Sequence, residues 1–137
     1  MKGMVIDASV AASWLLTDEL SPYAERVLEE MQRGEPIFVP SLWPLEITNV
    51  LFNAERRKRI DKKHRDEALE RIGRLPLSIV SGPVLGDLKT IRTLAEKHQL
   101  TAYDAEYLRV AKELRLPIAT QDRNLILAAN KEKVSVF

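Results

Sequence analysis

Four carboxylates stand out in this sequence because of where they fall. Asp7 follows the apolar stretch "MVI", Glu46 lies in the first turn of a helix behind "IFVP", and Asp122 comes two residues after "PIAT". Asp104 begins the helix that Thr101 opens, which itself leads into "PIAT". Singly, each has an ordinary structural use. Asp7 can cap a helix, Glu46 and Asp104 suit the positive end of theirs, and Asp122 can shape the turn "TQDRN". As a set they predict more, because three of the four directly follow predicted strands and their flanks are apolar. Two carboxylates about 4 Å apart repel by roughly 4 kcal/mol at an effective dielectric of 20. A converging quartet therefore takes up protons or recruits a cation. Oxygen-only donors without cysteine favour Mg²⁺ or Mn²⁺ over zinc. Such an ion keeps water and accepts phosphate oxygens, which suits phosphodiester hydrolysis. Acid–base work by paired imidazoles finds little support. The only histidines are His64, in a charged run, and His98, near a helix end, and both are expected at the surface.

The elements that must position these acids are short. Residues 3–6 read as a buried strand and 9–16 as a helix. Ser21 and Pro22 supply an N-cap and first helical position for a helix that Gly34 ends, with Tyr23, Ala24, Val27, Leu28 and Met31 on one face. Residues 37–40 read as a second strand, and Ser41 and Pro44 introduce a helix to about Arg59. Residues 61–75 form a helix with Ala68, Leu69, Ile72 and Leu75 inward, and 77–80 a third strand. From about Pro83 to His98 the stripe Val84, Leu85, Leu88, Ile91, Leu94 and Ala95 predicts another core-facing helix. Thr101 caps a helix to Leu116, 117–120 is a fourth strand, 124–129 a short helix and 134–137 a closing strand. Unalternated strands between amphipathic helices imply an α/β fold: a central parallel sheet of four to five short strands with helices on both faces.

The composition bounds the alternatives. A chain of 137 residues, 45% hydrophobic and 30% charged, can bury one sizeable core and reads as a single domain, 1–137. A net charge of +1 predicts no partner by itself, so any nucleic-acid contact must be local. With no cysteine, disulfides and thiolate metal sites are excluded, in keeping with a reducing cytoplasm. Asp7, Asp18 and Glu19 interrupt the apolar N-terminal stretch, which argues against export, and no stretch is long enough to span a membrane.

The stretches "VIDASV" (5–10), "PSLWPLEITNVL" (40–51), "TAYDAEYLRVAKELRLPIAT" (101–120) and "QDRNL" (121–125) carry a family resemblance. In that order they resemble the PIN domain, and most closely the toxin of VapBC-type toxin–antitoxin pairs. The resemblance implies that Asp7, Glu46, Asp104 and Asp122 are the acidic quartet of the active site. Asp7 and Asp104 would be the principal metal ligands, with Glu46 and Asp122 completing the shell directly or through water. Ser9 and Thr120 match the small hydroxyl positions that orient the cluster, and Asn49 the polar partner one helical turn after Glu46. For Ser9 and Asn49 a local backbone hydrogen bond is the competing role. The resemblance further implies a Mg²⁺- or Mn²⁺-dependent endoribonuclease acting on RNA such as tRNA or rRNA, a small VapB-like antitoxin, and a homodimer.

An acidic centre repels RNA, so basic groups must flank it. The run "RRKRIDKKHR" (56–65) holds seven Lys or Arg residues, among them Arg56, Arg57 and Arg59. It suits phosphate contact, or simply a solvated helix end. Arg123, beside Asp122, lies nearer the expected chemistry. Trp14 and Trp43 offer rings for base stacking, although both also fit helix packing faces. The apolar surface around Trp14, Leu15 and Leu16 suits a helical antitoxin segment. Two other readings compete: a non-catalytic RNA- or protein-binding domain, and a phosphotransferase. The second calls for an aspartate where Ser9 stands.

Overall fold

The computed structural model describes residues 2–137. Its sheet is four-stranded and wholly parallel: β1 (Met4–Ile6), β2 (Ile37–Pro40), β3 (Leu77–Val80) and β4 (Ile118–Ala119), in the spatial order β3-β2-β1-β4. Parallel neighbours cannot be joined by tight hairpins, so each crossover carries helices. Helices α1 (Ala8–Leu15) and α2 (Pro22–Gln32) join β1 to β2, and α3 (Trp43–Arg56) and α4 (Lys62–Ile72) join β2 to β3. Helices α5 (Leu88–His98) and α6 (Ala102–Leu114) return the chain to β4, and α7 (Arg123–Lys131) follows it. The α/β expectation therefore holds. Among the described residues, no helix is long and apolar enough to cross a membrane.

β1 lies at the centre because it is apolar throughout: Met4, Val5 and Ile6 are fully buried. Each such burial contributes roughly 1.5–3 kcal/mol. Gly3 makes the close approach possible. Its φ is +109°, and a Cβ there would sit 2.6 Å from the Pro36 carbonyl oxygen, the atom that accepts from Met4 N–H at 3.1 Å.

Several local expectations are corrected. Residues 134–137 contribute only one bridge, Val136 beside Ile118, rather than a strand. β3 is an edge strand, and its Ile79 is 59% exposed. Within the predicted stripe of α5 only Ile91 and Leu94 are buried, while Val84, Leu85 and Leu88 are exposed. The stripe presupposed an unbroken helix. A 3₁₀ turn at Leu85–Asp87 with three residues per turn precedes α5 and takes those side chains off the inward face. α3 stops at Arg56 because Lys58 takes the left-handed conformation, with φ +59°. His98 is not at the surface: its ring is 2% exposed and packs on Glu132. His64 is half-buried, with a ring nitrogen 2.9 Å from the Leu15 carbonyl oxygen. Trp43 is buried, and the Trp14 indole N–H donates to the Ala24 carbonyl at 2.7 Å. Leu15 and Leu16 are core residues, so they offer little to a partner.

Candidate active site

The strand order sets the location. From β1 the chain builds outward through β2 to β3, then returns to lay β4 on the other flank of β1. Parallel sheets open a crevice at such a reversal, outside the carboxyl ends of the two strands concerned. Asp7 is the first residue beyond β1, and Thr120 the first beyond β4.

Asp7 is 6% exposed and caps α1, accepting from Val10 N–H at 3.3 Å. The same oxygen, Oδ1, accepts the Ser9 hydroxyl at 2.7 Å. Oδ2 accepts the Thr120 hydroxyl, which in turn accepts from Asp122 N–H at 3.0 Å. Thr120 thus couples the two strand ends through one oxygen atom. Asp122 caps α7 by accepting from Leu125 N–H at 2.9 Å. Asp104 lies in the first turn of α6, whose cap Thr101 accepts the Asp104 N–H at 3.1 Å. Glu46 lies in the first turn of α3, and its Oε1 accepts the Tyr107 hydroxyl at 2.5 Å. Each acid therefore has the capping or dipole role that its position suggested, and also a place in a common field.

That field is visible in the proton affinities of Asp7, Glu46 and Asp104. Burial raises the Asp7 carboxyl above its ordinary value; hydrogen bonds from Ser9, Thr120 and Val10 oppose this, and the charge of Asp104 adds to it. Burial also raises Glu46, against the Tyr107 bond and with help from Asp104 and Asp7. Asp104 is raised by burial and then by Asp122. The four acids form one electrostatic chain rather than four isolated caps. Four helix N-termini, those of α1, α3, α6 and α7, bring partial positive charge to the same acids. That offsets part of the repulsion.

The donor set is all oxygen, which suits a hard divalent ion. Among the described residues, no three Asp, Glu or His side chains converge tightly enough to enclose an ion by themselves. An ion held here would have to retain much of its water and touch few carboxylates, as Mg²⁺ can.

The remaining candidates divide. Asn49 is exposed one turn beyond Glu46. Arg123 is exposed at the start of α7, and Arg56 and Arg57 are exposed at the far end of α3. Ten residues of helix place Arg56 roughly 15 Å along α3 from Glu46. Arg59 is committed elsewhere: its guanidinium pairs with Asp18 at 2.9 Å and Glu19 at 3.0 Å. Arg65 pairs likewise with Glu55 and Asp66, so the basic run is partly neutralised.

Three polar side chains near the acids are not expected at the site from the sequence, which places Tyr23 only on a helix packing face. Tyr107 holds Glu46. The Tyr23 hydroxyl accepts from Thr120 N–H at 3.2 Å. Gln121 ties α1 to α2, donating to the Ser13 hydroxyl at 2.8 Å and accepting from the Ser21 hydroxyl at 2.9 Å. Only Tyr107 left a trace in the sequence, three residues after Asp104 on the same helical face.

Fold and site together define an α/β domain in which Asp7 and Thr120 meet at the switch point of a parallel sheet, with Asp104 and Glu46 close enough for their charges to be felt. Residues 4–131 match the PIN domain, and the chain belongs to that family. It is similar to ribonuclease VapC3 of Pyrobaculum aerophilum, 29% identical over 122 residues that cover 89% of this chain and 91% of the relative. To ribonuclease VapC9 of Mycobacterium tuberculosis it is 30% identical, covering 89% of this chain and 87% of the relative. The backbone follows the crystal structure of PAE2754 from Pyrobaculum aerophilum with a TM-score of 0.71 at 23% identity, covering 92% of this chain and 84% of that one.

Proposed function

We propose that this protein is a Mg²⁺- or Mn²⁺-dependent endoribonuclease, the toxin of a toxin–antitoxin pair. The observation that carries the reading is the placement of Asp7 and Asp122 around the Thr120 hydroxyl beyond the carboxyl ends of β1 and β4, with the charge of Asp104 acting on both Asp7 and Glu46. Family membership and relatives named as ribonucleases support it.

In this reading Asp7 and Asp104 hold the divalent ion, with Glu46 and Asp122 bound directly or through water. When bound, the ion supplies an activated water and stabilises the charge that builds on the phosphoryl oxygens. Ser9 and Thr120 fix the Asp7 carboxylate by donating to both of its oxygens, which opposes the rise in proton affinity that burial imposes. Arg123, exposed beside Asp122, takes an RNA phosphate, and Asn49 supports the centre one helical turn beyond Glu46. Arg56 and Arg57 contact the strand further along. A VapB-like antitoxin segment is supported by the apolar groove among Trp14, Leu20, Leu28 and Leu75. Pairing with a second copy is supported by the exposed Val84, Leu85 and Leu88.

The test uses the purified chain and end-labelled tRNA and rRNA fragments. Cleavage is expected with Mg²⁺ or Mn²⁺, abolished by EDTA, and lost in Asp7→Asn and Asp104→Asn without loss of folded structure. Cleavage at wild-type rate by both variants would refute the assigned centre. RNA retained without cleavage, whether or not metal is present, would instead favour a binding domain.

A further inference from the structure

We infer that Tyr107 is a positioning residue for the acidic centre, fixing Glu46 towards the crevice by a hydrogen bond between α6 and α3. The inference rests on the nuclease reading of these acids and adds to it a residue that the acid quartet leaves out.

Glu46 has the longest side chain of the four, and no backbone N–H at its own helix end holds its carboxylate. Asp7 and Asp122 are helix caps, locked by backbone N–H groups at their own helix ends. Asp104 sits one residue before buried Ala105 in the tightly packed α6. Glu46 has a longer side chain with three rotatable bonds, and it faces repulsion from Asp7 and Asp104. Left alone, such a side chain turns towards water, where its charge is solvated and its neighbours are distant. Among the described residues its only side-chain hydrogen bond is the one from Tyr107, 61 residues later in the chain.

Tyr107 suits that task. It is 1% exposed, so its ring is held by packing and its hydroxyl has one direction available. It lies one turn beyond Asp104 on α6, so a single helix carries one acid and the clamp for another. The bond engages Oε1 only, which leaves Oε2 for the crevice. Partners of this kind set the orientation of a metal-binding carboxylate without touching the metal.

The experiment compares the full-length wild type with Tyr107→Phe, which removes one oxygen and keeps the ring. Mn²⁺ affinity is measured by titration calorimetry without RNA, and kcat and KM are measured with RNA. The variant is expected to bind Mn²⁺ roughly 10- to 100-fold more weakly. Its kcat should fall while KM for RNA stays unchanged, and excess Mn²⁺ should restore part of the rate. On a Glu46→Ala background the same change should add nothing, because Tyr107 acts only through Glu46 and alanine offers its hydroxyl no acceptor. Wild-type Mn²⁺ affinity in Tyr107→Phe, or full additivity with Glu46→Ala, overturns the positioning role and leaves the nuclease reading standing. A wild type that neither binds Mn²⁺ nor cuts RNA overturns that reading, and this role with it.

Discussion

Glu132 offers a measurable test of the electrostatics that hold the helical layer together. It is the residue just past α7, where the negative end of a helix disfavours a carboxylate. Three side chains answer that cost. Lys112 at the end of α6 donates to Oε1 at 2.6 Å, Lys97 at the end of α5 donates to Oε2 at 2.8 Å, and a His98 ring nitrogen lies 2.6 Å from Oε2. Lys112 above all, then Lys97, holds the Glu132 carboxyl down to about 2 from an ordinary 4.5. At 1.36 kcal/mol per pH unit that difference corresponds to about 3 kcal/mol. Lys97 and Lys112 are 60% and 42% exposed, so water and salt screen the interaction and about 1–2 kcal/mol should survive. The sign follows from the depressed value: the contribution is complete above the unfolded value of 4.5 and is lost as pH falls towards about 2. Asp7, Glu46 and Asp104 act in the opposite sense, since burial raises their proton affinity in the fold. The difference between wild type and Glu132→Gln cancels them. Urea unfolding should show the variant less stable by about 1–2 kcal/mol at pH 7, with the gap narrowing at pH 3 and in high salt. Equal stability at pH 7, or a gap unchanged by acid, would refute the reasoning.

Thr120→Val removes the hydroxyl that both donates to Asp7 and accepts from Asp122 N–H. RNA cleavage should fall by about tenfold or more, and the acidic limb of its pH–rate profile should move upward because Asp7 loses a bond that favours its ionised form. Thr120→Ser should restore most of both, and a wild-type profile in Thr120→Val would count against the assignment. For RNA binding, measured by fluorescence anisotropy on the Asp7→Asn background, Arg123→Ala should weaken affinity and reduce the logarithmic salt slope by about 1. Arg59→Ala should leave both unchanged, because that guanidinium already serves Asp18 and Glu19. The reverse pattern would move the RNA path to the basic run.

Local sequence was informative wherever one rule acted alone. Apolar runs without alternation marked the buried strands, and Ser21 and Thr101 marked helix starts that the structure bears out. It misled where two rules met. The stripe from Val84 to Ala95 obeys helical spacing, yet a 3₁₀ turn breaks it and leaves Leu85 85% exposed. His98 looked like a surface residue because a helix end usually meets water, whereas Glu132 from 34 positions away covers it.

The sequence by itself determined the kinds of atoms at the crevice: carboxylates just after strands or in first helical turns, small hydroxyls beside them, and no thiol. Tertiary structure alone decided which oxygen faces which. The Thr120 bond to Asp7 spans 113 residues and the Tyr107 bond to Glu46 spans 61. The first exists because β4 returns to lie beside β1, and the second because α6 packs across β1 and β2, which carries Tyr107 to the start of α3. Spacing along a chain encodes a helix face or a strand face, since those repeats are local. Which faces then meet depends on how the whole sheet buries its apolar sides, and that is a property of the entire chain at once.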